Sequence, residues 1–142
     1  MKKNEGTHDI IIVHESPSVR DYMRLRELAG LSARSLEGAA IGLQNSLFTV
    51  TLYAQEELIG MGRVIGDGGC FMQIVDIAIR PDFQGRGLGK TVMTELMEYL
   101  NREALPKTYV SLLADVPADQ LYVKFGFQYT QPRSQGMYLV ID

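Results

Sequence analysis

Residues 81 to 91 read Pro-Asp-Phe-Gln-Gly-Arg-Gly-Leu-Gly-Lys-Thr, with glycines at 85, 87 and 89 and cations at Arg86 and Lys90. Glycine at this density costs chain entropy unless the backbone must turn tightly or approach another group closely. An amphipathic helical pattern follows, so the stretch opens a helix. Free amides and the helix dipole at such a place attract phosphate. Two cations in a first turn oppose that dipole unless an anion sits there, which argues against a bare helix-opening turn. Spacing separates the candidate anions. The Gly89-Lys90-Thr91 ending suggests a nucleotide-hydrolase loop, but that loop needs a glycine five residues before Gly89, where this chain has Gln84. Gly85, Gly87 and Gly89 also miss the Gly-x-Gly-x-x-Gly spacing of a dinucleotide fingerprint.

The elements that must position this loop follow from periodicity. Ile10 to Val13 is a β-branched run and predicts a strand. Ser16-Pro17 predicts a helix start, and Val19, Tyr22, Met23, Arg26 and Leu28 continue a helical pattern that Gly30 ends. A second short helix follows Ser35. Leu47 to Ala54, Leu58 to Ile65 and Phe71 to Arg80 read as three strands joined by turns at Gln55 to Glu57 and Gly66 to Gly69. The last of them is apolar on both faces apart from Gln73, Asp76 and Arg80, as a central strand requires. Leu88, Val92, Leu96 and Leu100 recur at helical spacing. Thr108 to Ala114 is a further strand, Pro117 to Phe125 a short helix, and Phe127 to Thr130 with Met137 to Ile141 a final hairpin. The expected fold is mixed α/β: a mostly antiparallel central sheet flanked by helices, in one domain spanning residues 1–142.

Gln84-Gly85-Arg86-Gly87-Leu88-Gly89 satisfies the pattern Gln/Arg-x-x-Gly-x-Gly/Ala, after a buried strand and before a long helix. Ala118 to Phe127 fits Ala-x-x-Leu-Tyr-x-x-x-Gly-Phe. With these two motifs at this separation, the chain resembles the GNAT superfamily of acyl-CoA-dependent N-acyltransferases over nearly its whole length. The resemblance implies acetyl-CoA as cosubstrate, its pyrophosphate held by the loop formed by Gln84, Gly85, Arg86, Gly87, Leu88, Gly89 and Lys90. It implies that the pantetheine arm lies along the strand at Ile77, Ala78 and Ile79, with Asp115 where the family often has Asn. The reaction implied is direct attack of a primary amine on the thioester through a tetrahedral intermediate. An amine with a lysine-like pKa near 10.4 is mostly charged at neutral pH, and its deprotonation there costs about 4–5 kcal/mol. A strand amide near Ile77 is placed to meet the oxyanion. Tyr122 stands at the family's tyrosine position, which implies a general acid to the departing thiolate; packing with Leu121 and Phe125 is the other role open to it.

The base departs from the family pattern. Many members carry Glu one position before Asp76, where this chain has Val75. Strand side chains alternate, so Asp76 points to the opposite face unless a bulge re-aims it. Asp76 or a water is the base, and a structural carboxylate is the other role open to Asp76. The missing Glu also keeps open a non-catalytic acyl-CoA-binding or sensing module.

With 142 residues, 46% of them hydrophobic, the chain is long enough to bury a core. A net charge of -3 supplies no global basic field for nucleic acid or an anionic membrane. The lone Cys70 has no internal disulfide partner, and His8 and His14 lack metal-ligand company, so no metal is expected. Without a signal-like or membrane-length apolar stretch, the expected setting is the cytoplasm. The expected acceptor is a small-molecule or peptide amine, bound by the Asp21 to Ser46 region, the Gly66 to Gly69 turn and the final hairpin. Glu27, Glu37 and Asp67 lie in those segments, either to attract its positive charge or as solvated surface carboxylates. By resemblance, a homodimer forms through C-terminal strands.

Overall fold

A computed structural model describes residues 9–142; His8 lies outside them. The strands are β1 (Ile10–Val13), β2 (Phe48–Ala54), β3 (Glu57–Gly66), β4 (Phe71–Ile79) and β5 (Tyr109–Ser111). The helices are α1 (Val19–Leu28), α2 (Leu36–Gln44), α3 (Leu88–Glu103) and α4 (Asp119–Val123). One sheet has the order β1-β2-β3-β4-β5, with antiparallel pairs up to β4 and a parallel β4–β5 pair. This is the mixed, mostly antiparallel sheet expected.

Both faces of the sheet are covered. Val92, Met93, Leu96 and Leu100 of α3 pack on Val50, Leu52, Ile59, Val64 and Ile74. Tyr22 and Leu25 of α1, with Ala39 and Leu43 of α2, pack on Leu58, Met61 and Ala78. The approach of α3 is close: a methyl group at Gly62 would lie 2.6 Å from Val92. α1 begins two residues later than Ser16-Pro17 suggests. Its cap is Ser18, whose hydroxyl accepts the Asp21 amide at 3.1 Å.

Two expectations fail at the C-terminal end. β5 keeps only three residues of the Thr108 to Ala114 run. Residues 127–142 form no strand, so the predicted hairpin is absent. A strand exists only with an edge to pair against, and Met137 to Ile141 meet none among the described residues; their exposure runs from 67% to 90%.

Candidate functional site

β4 leads through a single 3-10 turn, Pro81–Phe83, into the glycine loop. The Gln84 side chain donates to the Ile79 carbonyl at 3.0 Å and pins the start of the loop to the end of the strand. Gly85 and Gly87 have φ of +80° and +78°, a left-handed conformation that side-chain-bearing residues adopt at a cost of about 1–2 kcal/mol. Gly87 caps α3 without a side-chain bond, and no acidic residue occupies the first turn. The first amides of α3 therefore point out of a positive helix end with no acidic side chain of that turn competing for them. Arg86 lies over the Phe83 ring, 4.9 Å from its centroid, and Lys90 is exposed on the first turn. Gly89 has no such φ, and a methyl there would touch Leu121 at an ordinary 3.6 Å. The donor set suits a pyrophosphate: oriented amides, a helix N-terminus and two cations.

A cleft of about 510 Å³ opens where the sheet splits. β4 and β5 pair only at Phe71–Gln73 with Tyr109–Ser111, and beyond that point they diverge. Gln73 to Ile77 form one wall; Leu112, Leu113, Asp115, Ala118 and Tyr122 form the other; the α1–α2 connection closes the end. The cleft thus gathers Asp76, Ile77, Asp115 and Tyr122 from the sequence-derived set. Ala78 is buried toward α1, and Ile79 pairs with Gly60 beside the loop. Burial, then the charge of Asp115, pushes the Tyr122 phenol above its ordinary value, so it carries its proton throughout the neutral range.

Asp76 reaches the cleft through a bulge. Pairing runs Met61 to Ala78 and then Arg63 to Val75, so two β4 residues oppose Gly62. Asp76 takes φ of +61° at this point. Its carboxylate is 6% exposed and accepts Tyr22 Oη at 2.7 Å, Arg63 Nε at 2.9 Å and Arg26 Nη1. Burial, then the bond to Asp76, raises the Tyr22 phenol as well. Both oxygens of this carboxylate are engaged by side chains of the protein.

The acceptor side is not built as the acidic residues suggested. Asp67 Oδ1 accepts the amides of Gly69, Cys70 and Phe71 at 2.8–3.0 Å, which holds its pKa below the ordinary value. It organises the β3–β4 turn, and that turn does not line the cleft. Glu37 is exposed in the first turn of α2, and Glu27 lines a neighbouring depression. The charged residues that do line the cleft are Arg26, Arg34, Asp76 and Asp115. Arg26 carried a signal in the sequence, as a cation on the same helical stripe as Tyr22. Exposed His14 bonds Glu95 at 2.6 Å, and among the described residues no cluster of His, Cys, Asp and Glu has the makings of a metal site.

The Acetyltransferase (GNAT) family matches residues 17–127, which take in the loop, the split strands and Tyr122. The chain belongs to the GNAT acetyltransferase family. A probable acetyltransferase of unknown function from meticillin-resistant Staphylococcus aureus is 50% identical, with a TM-score of 0.90 over 94% of this chain and all of that one. An uncharacterized N-acetyltransferase from Gracilaria tenuistipitata var. liui is 30% identical over 97% of this chain and 79% of its own length. A GNAT family acetyltransferase from Brucella melitensis, solved in complex with acetyl-CoA, shares the fold of this GNAT chain at 17% identity. Its TM-score is 0.65 over 87% of this chain and 85% of that one. No helix among the described residues of this acetyltransferase is long and apolar enough to cross a membrane.

Proposed function

We propose that the chain transfers the acetyl group of acetyl-CoA to a primary amine by direct attack, in the cleft between β4 and Tyr122. The observation that carries this reading is the alignment of loop and cleft on one strand. β4 ends at an anion-ready helix N-terminus and, on its way there, loses its β5 partner beside a protonated tyrosine. Gln84 to Lys90 hold the pyrophosphate, mainly through backbone amides. The pantetheine arm completes the unpaired edge of β4 at Ile77 to Ile79, with Asp115 as an acceptor on the facing wall.

Acetyl-CoA brings an activated thioester carbon. The amine lone pair forms the C–N bond there, and an amide of β4 near Ile77 stabilises the oxyanion. As the C–S bond breaks, the thiolate takes the Tyr122 proton. With ordinary thiol and phenol pKa values of about 8.5 and 10 this transfer runs uphill by about 2 kcal/mol, and by more for the raised Tyr122 phenol, so it is completed only as the phenolate is reprotonated. The proton lost by the amine passes to water, which returns one to Tyr122. Asp76, fixed by two guanidinium groups, holds the cleft wall in place, and water serves as the base. The single Cys70 suits a cytoplasmic setting. The exposed Met137 to Ile141 segment and the short edge strand β5 support a homodimer in which each tail extends its partner's sheet.

Thiol release from acetyl-CoA across a panel of primary amines tests the proposal. Release that needs both protein and amine supports it. CoA binding with no release for any amine favours a binding module instead, the alternative suggested by the engaged state of Asp76.

A further inference from the structure

Resting on that transferase reading, we infer that the acceptor is a small amine that also carries a carboxylate, and that Arg34 binds the carboxylate. The overall charge of the chain is -3, yet the closed end of the cleft is positive. Arg26 and Arg63 share the single carboxylate of Asp76, which leaves this cluster with one positive charge in excess. Arg34 adds another and has no carboxylate partner among the described residues. Asp115 lies on the opposite wall with Tyr122. A ligand with an amine at one end and an anion at the other matches that polarity, amine toward Asp115 and Tyr122, anion toward Arg34. A diamine or a simple alkylamine leaves the positive end unanswered.

The Arg34 guanidinium is pre-set for such a ligand. Arg26 ties down the connecting segment, donating from Nε and Nη2 to the Ser32 carbonyl at 3.2 and 2.6 Å. Arg34 Nη1 donates to Ser32 Oγ at 3.0 Å and to the Ala33 carbonyl at 2.9 Å. One end of the guanidinium is therefore anchored, and the Nε–Nη2 edge keeps its donors available for the two oxygens of a carboxylate. Arg34 borders both the cleft and a second depression of about 480 Å³ behind it, so the anion sits where the α1–α2 connection closes the cleft. The cleft of about 510 Å³ must also take the pantetheine arm, which limits the acceptor to the size of an amino acid.

The test uses matched pairs that differ only by the carboxylate: lysine with 1,5-diaminopentane, and 4-aminobutanoate with propylamine. Thiol release gives kcat/KM for each, and calorimetry in the presence of CoA gives direct binding. The wild type is expected to favour the carboxylated member by about 10- to 100-fold, the size of a charge-assisted bidentate contact. Arg34→Ala should collapse that ratio to within about threefold and Arg34→Lys should restore part of it, since an ammonium keeps the charge without the fork. A wild-type ratio of one or less, or an unchanged ratio in Arg34→Ala, overturns the inference. Carboxylate binding that depends on Arg34 without any acetyl transfer leaves the anion site standing and defeats the transferase reading instead. Transfer without preference does the reverse.

Discussion

Asp76→Asn separates an electrostatic clamp from a catalytic base. The substitution keeps the shape of the side chain and removes its charge, leaving Arg26 and Arg63 beside each other in a site where Asp76 is 6% exposed. At an effective dielectric constant of 20, one pair at 4 Å is worth about 4 kcal/mol before desolvation is counted. Breaking a buried pair by removing one partner costs about 3–5 kcal/mol, because the remaining charge stays buried and unpaired. Against a total stability of about 5–15 kcal/mol this is a large share. With a urea m-value of about 2 kcal/mol/M, the unfolding midpoint should fall by about 1.5–2.5 M. The assay is urea denaturation followed by circular dichroism, since the chain has no tryptophan. The double variant Asp76→Asn with Arg63→Met should recover part of the loss, because a cation leaves with the anion. Turnover measured in buffer, well below the transition, should persist at a reduced level. A midpoint within about 0.3 M of wild type together with abolished turnover would refute the reasoning, because the Asp76 charge would then act on the amine and not on the arginines.

Three further outcomes follow from the same geometry. Tyr122→Phe should lower turnover by about 10- to 100-fold while leaving acetyl-CoA affinity intact. Because burial and Asp115 raise this phenol, the alkaline fall in wild-type activity belongs above pH 10, where the proton is lost, and should be missing in the variant. Gly87→Ala places a side chain at φ of +78°, so it should cost about 1–2 kcal/mol and weaken CoA binding in calorimetry. Deleting residues 137–142 should convert a dimer to a monomer in light scattering; an unchanged mass would remove the tail from the interface.

The repeating elements were legible because their periods are strong. The β2–β3–β4 meander and α3 stand where alternation and helical spacing put them, and two motifs a short distance apart were specific enough to point to the family. The features left open in the sequence depend on long-range pairing. Whether Asp76 faces the cleft turns on a bulge opposite Gly62, and its role turns on Arg26, fifty residues away in sequence, and Arg63 on the neighbouring strand. No local pattern encodes those partners, although a cation on the apolar stripe of α1 hinted at one. The predicted C-terminal hairpin shows the opposite limit. Met137 to Ile141 have the composition of a strand, but composition does not say whose edge they pair with. The acidic residues were misplaced for a similar reason: Asp67 had an ample local use in capping a turn, and its charge is spent on three amides.

The proposed reaction in this cleft moves an acetyl group from acetyl-CoA to an amine nitrogen. The most direct measurement incubates the protein with acetyl-labelled acetyl-CoA and lysine, then follows the label by mass spectrometry and the free thiol in parallel. Labelled acetyl on the amine, one thiol released for each acetyl transferred, and a marked loss of both in Tyr122→Phe are expected. Acetyl-CoA bound with its label retained, and no acetylated amine across the panel, would contradict the proposed reaction.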